Sequence, residues 1–186
     1  MVGSKKLLRD RLEETARIIE WAILKIPEKR IVHAPPHGTH PHSDKGFKTY
    51  FGDWSAYRLL FHLIFYEEVY ALPAMRHWLG EPHPEVDLIF PNFDLEEAAW
   101  HEELERGPDL PALMERFRAV RQEQMGALER IPEGEWDRER VDTGLGRVSA
   151  DFVVTKTIQH TLEHGDTLLR NVLYWERALD WLESQA

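Results

Sequence analysis

The sequence contains no cysteine. Disulfide bonds, zinc sites built on thiolates and a cysteine nucleophile are therefore excluded, and any metal ion has to be held by histidine, aspartate or glutamate. No stretch approaches the roughly 18 uninterrupted apolar residues of a membrane span, and no apolar run typical of a signal peptide follows the amino terminus. We therefore expect a cytoplasmic protein that does not enter a membrane.

Positive charge is in the minority. The chain has 23 basic and 33 acidic side chains, which gives a net charge of −10. A surface of that sign repels nucleic acids and anionic membranes at long range. We therefore expect no nucleic-acid partner, and we expect the protein to act on a small-molecule substrate.

Alternating runs of β-branched residues are nearly absent, so we expect almost no β-sheet. Apolar residues instead recur at three- and four-residue spacing and predict an all-α fold, a four-helix bundle with long connections. The 186-residue length fits one domain over residues 1–186. The predicted helices cover residues 5–26, 53–79, 94–132 and 149–183.

Local residues refine these helices. Ser4, Asp94 and Ser149 are predicted N-caps of the first, third and fourth helices. The second helix is apolar nearly all round and is predicted to be buried. Pro73 lies inside it and predicts a kink or a separate turn.

Histidine is abundant, with ten in the chain. His160 and His164 are four residues apart in the fourth helix, which places them about 40° apart and one turn along the axis. His62 has a similar apolar setting in the second helix. Three neutral imidazoles from two facing helices could hold one divalent ion and leave a coordination position open, as a catalytic site requires.

Each of these histidines also has an ordinary explanation. A pair at this spacing occurs by chance on many helices, and a single His62 is more often a core residue bonded to a carbonyl or a water. The prediction depends on all three together, because burying three imidazoles without a shared partner is costly.

The segment from His160 to His164 also fits the inverted zincin pattern His-x-x-Glu-His, in which the glutamate is a general base. That fold needs a further acidic ligand far downstream, and only 22 residues follow His164. A protease is therefore disfavoured. Glu163 remains a weak catalytic candidate at the border of the site, and its alternative is a solvated carboxylate on the helix flank.

Three further residues are weak candidates for substrate binding. Tyr66 lies one turn from His62 and could donate a hydrogen bond to a ligand. Asn171 and Trp175 could line a pocket. Residues at such helical spacing are more often core packing. The first connection contains a cluster of four histidines, His33, His37, His40 and His42. This cluster is either a mobile loop that binds metal weakly or a segment that reaches the site.

The stretch from Trp54 to Leu63, containing His62, and the stretch from Ser149 to Leu169, containing His160 and His164, resemble the DinB/YfiT-like family of metalloenzymes. The resemblance extends over essentially the whole chain. It implies an up-down-down-up four-helix bundle and a metal triad that maps onto these three histidines. It also implies one divalent ion, with zinc or nickel favoured over manganese or iron, and a homodimer, since members often pair.

The resemblance further implies a reaction class, because some family members transfer or isomerise low-molecular-weight thiols. We expect a metal-dependent hydrolase or thiol transferase. The chain departs from the family pattern in its histidine-rich first connection and in Gly165 and Asp166 after the second histidine of the pair. A non-catalytic metal-stabilised bundle and a small-molecule binding or interaction module are the alternatives.

Overall fold

The fold is mostly helical over the residues that the computed structural model describes, 5–36 and 51–185. The helices are α1 (Lys5–Lys25), α2 (Ala56–Tyr66), α3 (Leu72–His77), α4 (Phe93–Arg106), α5 (Leu110–Arg130) and α6 (Ala150–Ser184). Short 3-10 turns lie at Glu28–Arg30 and Glu133–Glu135. The all-α prediction is confirmed in this broad sense.

A small antiparallel hairpin lies in the last connection, and it agrees with the expectation of almost no β-sheet. Its strands are β1 (Val141–Thr143) and β2 (Gly146–Val148), with Val141 paired to Val148. Gly146 has a φ of 104°, a conformation that L side chains rarely adopt. Both valines are buried, so the hairpin closes over one end of the core.

The helix starts agree only in part with the predicted caps. Ser149 accepts a hydrogen bond from the backbone N–H of Phe152, which confirms it as the N-cap of α6. The prediction that Asp94 is the N-cap of α4 is wrong. Asn92 takes that role, because its side chain accepts from the backbone N–H groups of Asp94 and Leu95. Ser4 lies outside the described residues.

Every residue of α2 is buried, as its apolar sequence predicts. The predicted break near Pro73 takes the form of a π-helical turn, Glu67–Ala71, between α2 and α3. There the backbone N–H of Leu72 donates to the carbonyl of Glu67, five residues earlier. Pro73 follows in the first turn of α3, where its missing N–H costs least.

Helix α1 packs on both α5 and α6. The Lys5 ammonium donates to the Ile131 carbonyl just after α5, and Glu20 near the other end of α1 pairs with Arg118 at 3.0 Å. Helices α1 and α5 therefore run in opposite directions. Against α6, a Cβ on Gly165 would lie 3.4 Å from Ile19 Cδ1, so the glycine allows close helix packing.

Apolar side chains from α1, α2, α5 and α6 form a continuous core. Among the described helices, none combines the length and the apolar character that crossing a bilayer requires.

A charged network lies within this core. Arg121 Nη2 is 2.5 Å from Glu67 Oε1, and both side chains are almost fully buried. Gln124 donates to Glu67 Oε2 at 3.2 Å, and Arg121 also donates to the Thr161 hydroxyl and to the Leu12 carbonyl. Burial raises the pKa of Glu67 to about 7, against the lowering effect of Arg121. The network therefore ties the π-helical turn, α1 and α6 to α5.

We expect the substitution Arg121→Met to lower the free energy of unfolding by about 3–5 kcal/mol, because it leaves the Glu67 carboxylate buried without its counter-charge. Urea denaturation followed by circular dichroism measures the change. Arg118→Met, at a partly exposed pair with Glu20, is the matched control and should cost at most about 1 kcal/mol.

The double variant Glu67→Gln/Arg121→Met should recover part of the loss, since no uncompensated charge remains in it. A loss in Arg121→Met no larger than that in Arg118→Met would contradict the structural role of this pair.

Candidate metal centre

Two helices bring the three predicted histidines together. His62 lies in the middle of α2, and His160 and His164 lie one turn apart on α6. One nitrogen from each ring lies within 4.8 Å of the others. His62 Nε2 and His160 Nε2 are 3.0 Å apart, and the His164 ring centroid is 4.7 Å from each of the other two. The side chains are therefore positioned as a group that could hold a metal ion.

The imidazoles occupy a poorly solvated space. His62 is buried, and His160 and His164 are partly buried. Burial lowers the pKa of His160 to about 2, assisted by the neighbouring His164 and His62. Burial lowers the pKa of His164 to about 4, assisted by His62 and Lys156. Both rings are therefore unprotonated at neutral pH, and each has a nitrogen lone pair available for a cation.

Glu96 on α4 fixes the orientation of His62. Both carboxylate oxygens lie 2.9 Å from His62 Nδ1 in a buried contact. A carboxylate only accepts, so His62 Nδ1 carries a hydrogen, and Nε2 is the nitrogen that faces the other two histidines. Arg58 Nη2 lies 3.0 Å from Glu96 Oε1 and balances its charge. This pattern, a ligand imidazole oriented by a carboxylate, is common around metal ions.

Glu96 is not predicted from the sequence, because an acidic residue just after the predicted cap Asp94 has an ordinary explanation as part of a helix start. One feature of the sequence does point to Glu96. Glu96 and Glu103 are seven residues apart, so they share a face of α4, and both are buried. Two carboxylates on the inward face of a helix indicate partners inside the fold.

The nitrogen positions fit a small divalent cation. Zinc–nitrogen bonds of about 2.0–2.1 Å place two imidazole nitrogens about 3.3 Å apart on a tetrahedral ion. The separation between His62 Nε2 and His160 Nε2 is near this value. The full group spans up to 4.8 Å, so a small side-chain movement is needed for all three to bind one ion.

The two facing nitrogens support the same conclusion. His62 Nε2 and His160 Nε2 are 3.0 Å apart. Without a cation, a hydrogen on one of them has to bridge the pair. A cation between them could instead accept a lone pair from each nitrogen. The buried His160 Nδ1 has no partner among the described residues, and a cation on Nε2 would not change that.

Two aromatic residues lie beside the histidine group. The Trp54 ring lies 4.9 Å from the His62 centroid and stacks at 6.4 Å on His164. Sequence reasoning assigned Trp54 no role in the site. Tyr66, a predicted substrate-binding residue, has its ring centroid 4.3 Å from that of His160. Its buried hydroxyl has no partner within residues 5–36 and 51–185, and burial raises the pKa of Tyr66, so the hydroxyl stays protonated and can donate.

The other predicted site residues are not part of this group. Glu163 is exposed on α6. Asn171 and Trp175 line a separate cavity beside the carboxyl end of α1. His33 is exposed. The roles of these residues stay predictions, and His37, His40 and His42 lie outside the described residues.

Comparison with known proteins gives one family match. The sequence model of the DinB superfamily matches residues 11–168, a range that includes all three histidines and Glu96. No curated protein sequence matches the chain. The resemblance predicted from the sequence is thereby confirmed at the level of the family.

The lowered pKa values predict that the metal-free protein loses stability in acid. An unfolded histidine takes up a proton near pH 6.5, whereas folded His160 does so only near pH 2. Between these values the unfolded state binds more protons, so acidification favours unfolding by up to about 1.4 kcal/mol per pH unit for each such histidine.

Urea denaturation of chelator-treated protein between pH 7 and 5 tests this expectation. The His160→Asn variant should show a smaller dependence on pH than the wild type, and the exposed-residue control His101→Asn should match the wild type. Equal slopes in all three proteins would show that His160 is not held unprotonated by the fold.

Proposed function

The chain belongs to the DinB superfamily, and on that premise we propose that it is a metal-dependent enzyme with one divalent ion held by His62, His160 and His164. The observation that carries the proposal is the convergence of one nitrogen from each of three imidazole rings, one of them oriented by a buried carboxylate. Three protein ligands leave a coordination position for a substrate, as catalytic zinc sites do.

Zinc and nickel are the ions we favour, with manganese or iron as the alternatives. Neutral imidazole suits zinc, nickel and iron, whereas sites for harder ions such as magnesium are built mainly from oxygen ligands. In the described part of the chain the grouped ligands are three histidines without a carboxylate, and Glu96 is bonded to the far side of the His62 ring.

The proposed reaction is hydrolysis of a small molecule or transfer of a low-molecular-weight thiol. When bound, the ion supplies a Lewis acid that can polarise a substrate group or favour a thiolate. Around it, Glu96 keeps His62 in one tautomer, and the Trp54 ring covers one side of the group. The Tyr66 hydroxyl is a donor beside His160 that has no partner among the described residues, and we assign it to orienting the substrate.

We also infer an up-down-down-up order for the four long helical segments α1, α2–α3, α5 and α6. Trp54 lies near His164 while Tyr66 lies near His160, which supports opposite directions for α2 and α6. Glu68 pairs with Arg116 and Arg76 with Glu123, which supports the same direction for α2–α3 and α5. Helix α4 is then an addition that supplies Glu96 from outside α2.

Replacing one ligand tests the metal site. We expect the purified protein to contain close to one divalent ion per chain by elemental analysis, and we expect His160→Ala to contain almost none while keeping its helicity by circular dichroism. The exposed His101→Ala is the matched control and should keep its metal. Stoichiometric metal in the His160→Ala variant would refute the triad.

Activity assays separate the enzyme from a metal-stabilised bundle. The metal-loaded protein is incubated with an activated ester, and separately with a low-molecular-weight thiol and an electrophilic acceptor. Turnover in one assay that is lost in His160→Ala supports the corresponding reaction. Bound metal without turnover in either assay, together with a large drop in stability on chelation, would favour a non-catalytic role.

Removing the carboxylate behind His62 tests its orienting role. We expect Glu96→Gln to weaken metal affinity about 10- to 100-fold, because the neutral amide holds the imidazole less firmly and lowers its basicity. Glu97→Gln is the matched control, since Glu97 also pairs with Arg58 but is exposed. Competition with a chromogenic chelator measures both affinities. Similar values for the two variants would contradict a specific role of Glu96.

A further inference from the structure

A positively charged side chain lies beside the histidine group on α6. Lys156 precedes His160 by four residues, so it lies one turn earlier on nearly the same side of the helix, about 40° away. The Cβ atoms of two residues at this spacing are about 5–6 Å apart. Lys156 is partly buried. The lysine is therefore an immediate neighbour of a proposed ion ligand.

The Lys156 ammonium extends toward the histidines. Its Nζ donates to Gln159 Oε1 at 2.8 Å, and Gln159 directly precedes His160. The side chain thus runs toward the carboxyl end of α6, where the two histidines of this helix lie. Burial is the largest cause of the low pKa values of His160 and His164, and after the neighbouring histidines the charge of Lys156 lowers both further. The ammonium is therefore close enough to act on a group bound between these rings.

No carboxylate in the described part of the chain pairs with Lys156, whose hydrogen-bond partner is the neutral amide of Gln159. Glu163 lies on the same side of α6, but it follows Lys156 by seven residues, which is about 10.5 Å along the axis, and it is exposed. The chain has 33 acidic and only 23 basic side chains, so carboxylates are in excess over their possible partners. The charge of Lys156 is nevertheless left for a ligand.

The other charges around the centre largely offset one another. Glu96 pairs with Arg58, and Glu67 pairs with Arg121. Glu97 also pairs with Arg58, but Glu97 is exposed, so water and salt screen its charge. Imidazoles are uncharged as ligands, so a divalent ion on them would keep its positive charge, and Lys156 adds to it. In a poorly solvated site, such an excess of positive charge favours an anionic ligand.

We propose that the substrate of this centre carries a small anionic group, which pairs with the Lys156 ammonium while a second group of the same molecule meets the ion. This inference rests on the proposed metal centre and specifies its class of substrate. The lysine has a flexible four-carbon stem, so its ammonium can leave Gln159 and follow the anionic group. Contacts at two points, the ion and the ammonium, then orient the molecule for reaction.

A pair of thiols separates the anionic group from the group that binds the ion. β-Mercaptopropionate carries a carboxylate, and β-mercaptopropionamide has nearly the same shape without the charge. Both are titrated calorimetrically into the full-length protein loaded with zinc. We expect the carboxylate to bind at least about 10-fold more tightly than the amide, because hydrogen bonds between two charged groups are stronger than those to a neutral amide.

Replacing Lys156 tests where the carboxylate binds. In Lys156→Gln we expect the preference for the carboxylate over the amide to fall at least about 5-fold, because the charged partner is gone. The Kd of the amide and the zinc content should stay close to those of the wild type. Lys29→Gln, at an exposed lysine just after α1, is the matched control and should keep the full preference.

Elemental analysis of the same samples keeps this inference and the metal centre apart. A preference that falls in Lys156→Gln and persists in Lys29→Gln supports an anionic substrate. An equal preference in the wild type and Lys156→Gln, or none in the wild type, would overturn the inference and leave the metal centre intact. Loss of zinc and of amide binding in Lys156→Gln would mean that the lysine maintains the centre itself, which also overturns the inference. A wild type that holds no zinc, or that binds neither thiol when loaded, would refute the proposed enzyme and this inference with it.

Discussion

The site depends on holding three imidazoles together in a space with little water. His62 is 8% exposed, and His160 and His164 are held so far from solvent that their pKa values fall well below the usual range. A charged ring here would meet two others within 5 Å. Burial of these rings therefore lowers the stability of the fold in acid. It also leaves nitrogen lone pairs on His160 and His164 that can bind a cation.

Two charged clusters hold the helices that carry these rings. On one side, Glu96 of α4 bonds His62 and pairs with Arg58 of α2. On the other side, Arg121 of α5 bonds both Glu67 and Thr161, and Thr161 directly follows His160. Each buried carboxylate is thus paired with an arginine, so neither cluster leaves a bare charge near the ion position. The first cluster joins α2 to α4, and the second joins the π-helical turn after α2 to α6 beside the histidines.

Sequence periodicity was sufficient to predict the histidine group, because helical spacing and apolar surroundings are local properties. The pair His160 and His164 follows from a four-residue interval, and His62 follows from a segment that is apolar all round. Glu96 could not be found in this way. Its role depends on α4 packing against α2, and an acidic residue in a first helical turn has an ordinary local explanation as a charge that favours the helix dipole.

The same limit explains the errors at the helix ends. Asp94 and Asn92 both have side chains that can cap a helix, and the choice between them is made by Tyr70. The Tyr70 hydroxyl accepts from the Asn92 backbone N–H at 2.8 Å and so fixes the chain just before α4 begins. Similarly, Pro73 predicts some disturbance of the second helix, but a π-helical turn rather than a break results because both flanking segments are buried against α5 and α6.

The inward face of α6 shows how structural and functional polar groups can be told apart. Thr157 and Thr161 are buried, and each donates to a carbonyl one turn earlier, so the helix itself accounts for them. His160 and Asn171 lie on the same helix with buried atoms that nothing in the described chain satisfies. Such unpaired buried atoms lower stability, so the helix alone does not explain why a histidine and an asparagine stand at these two positions.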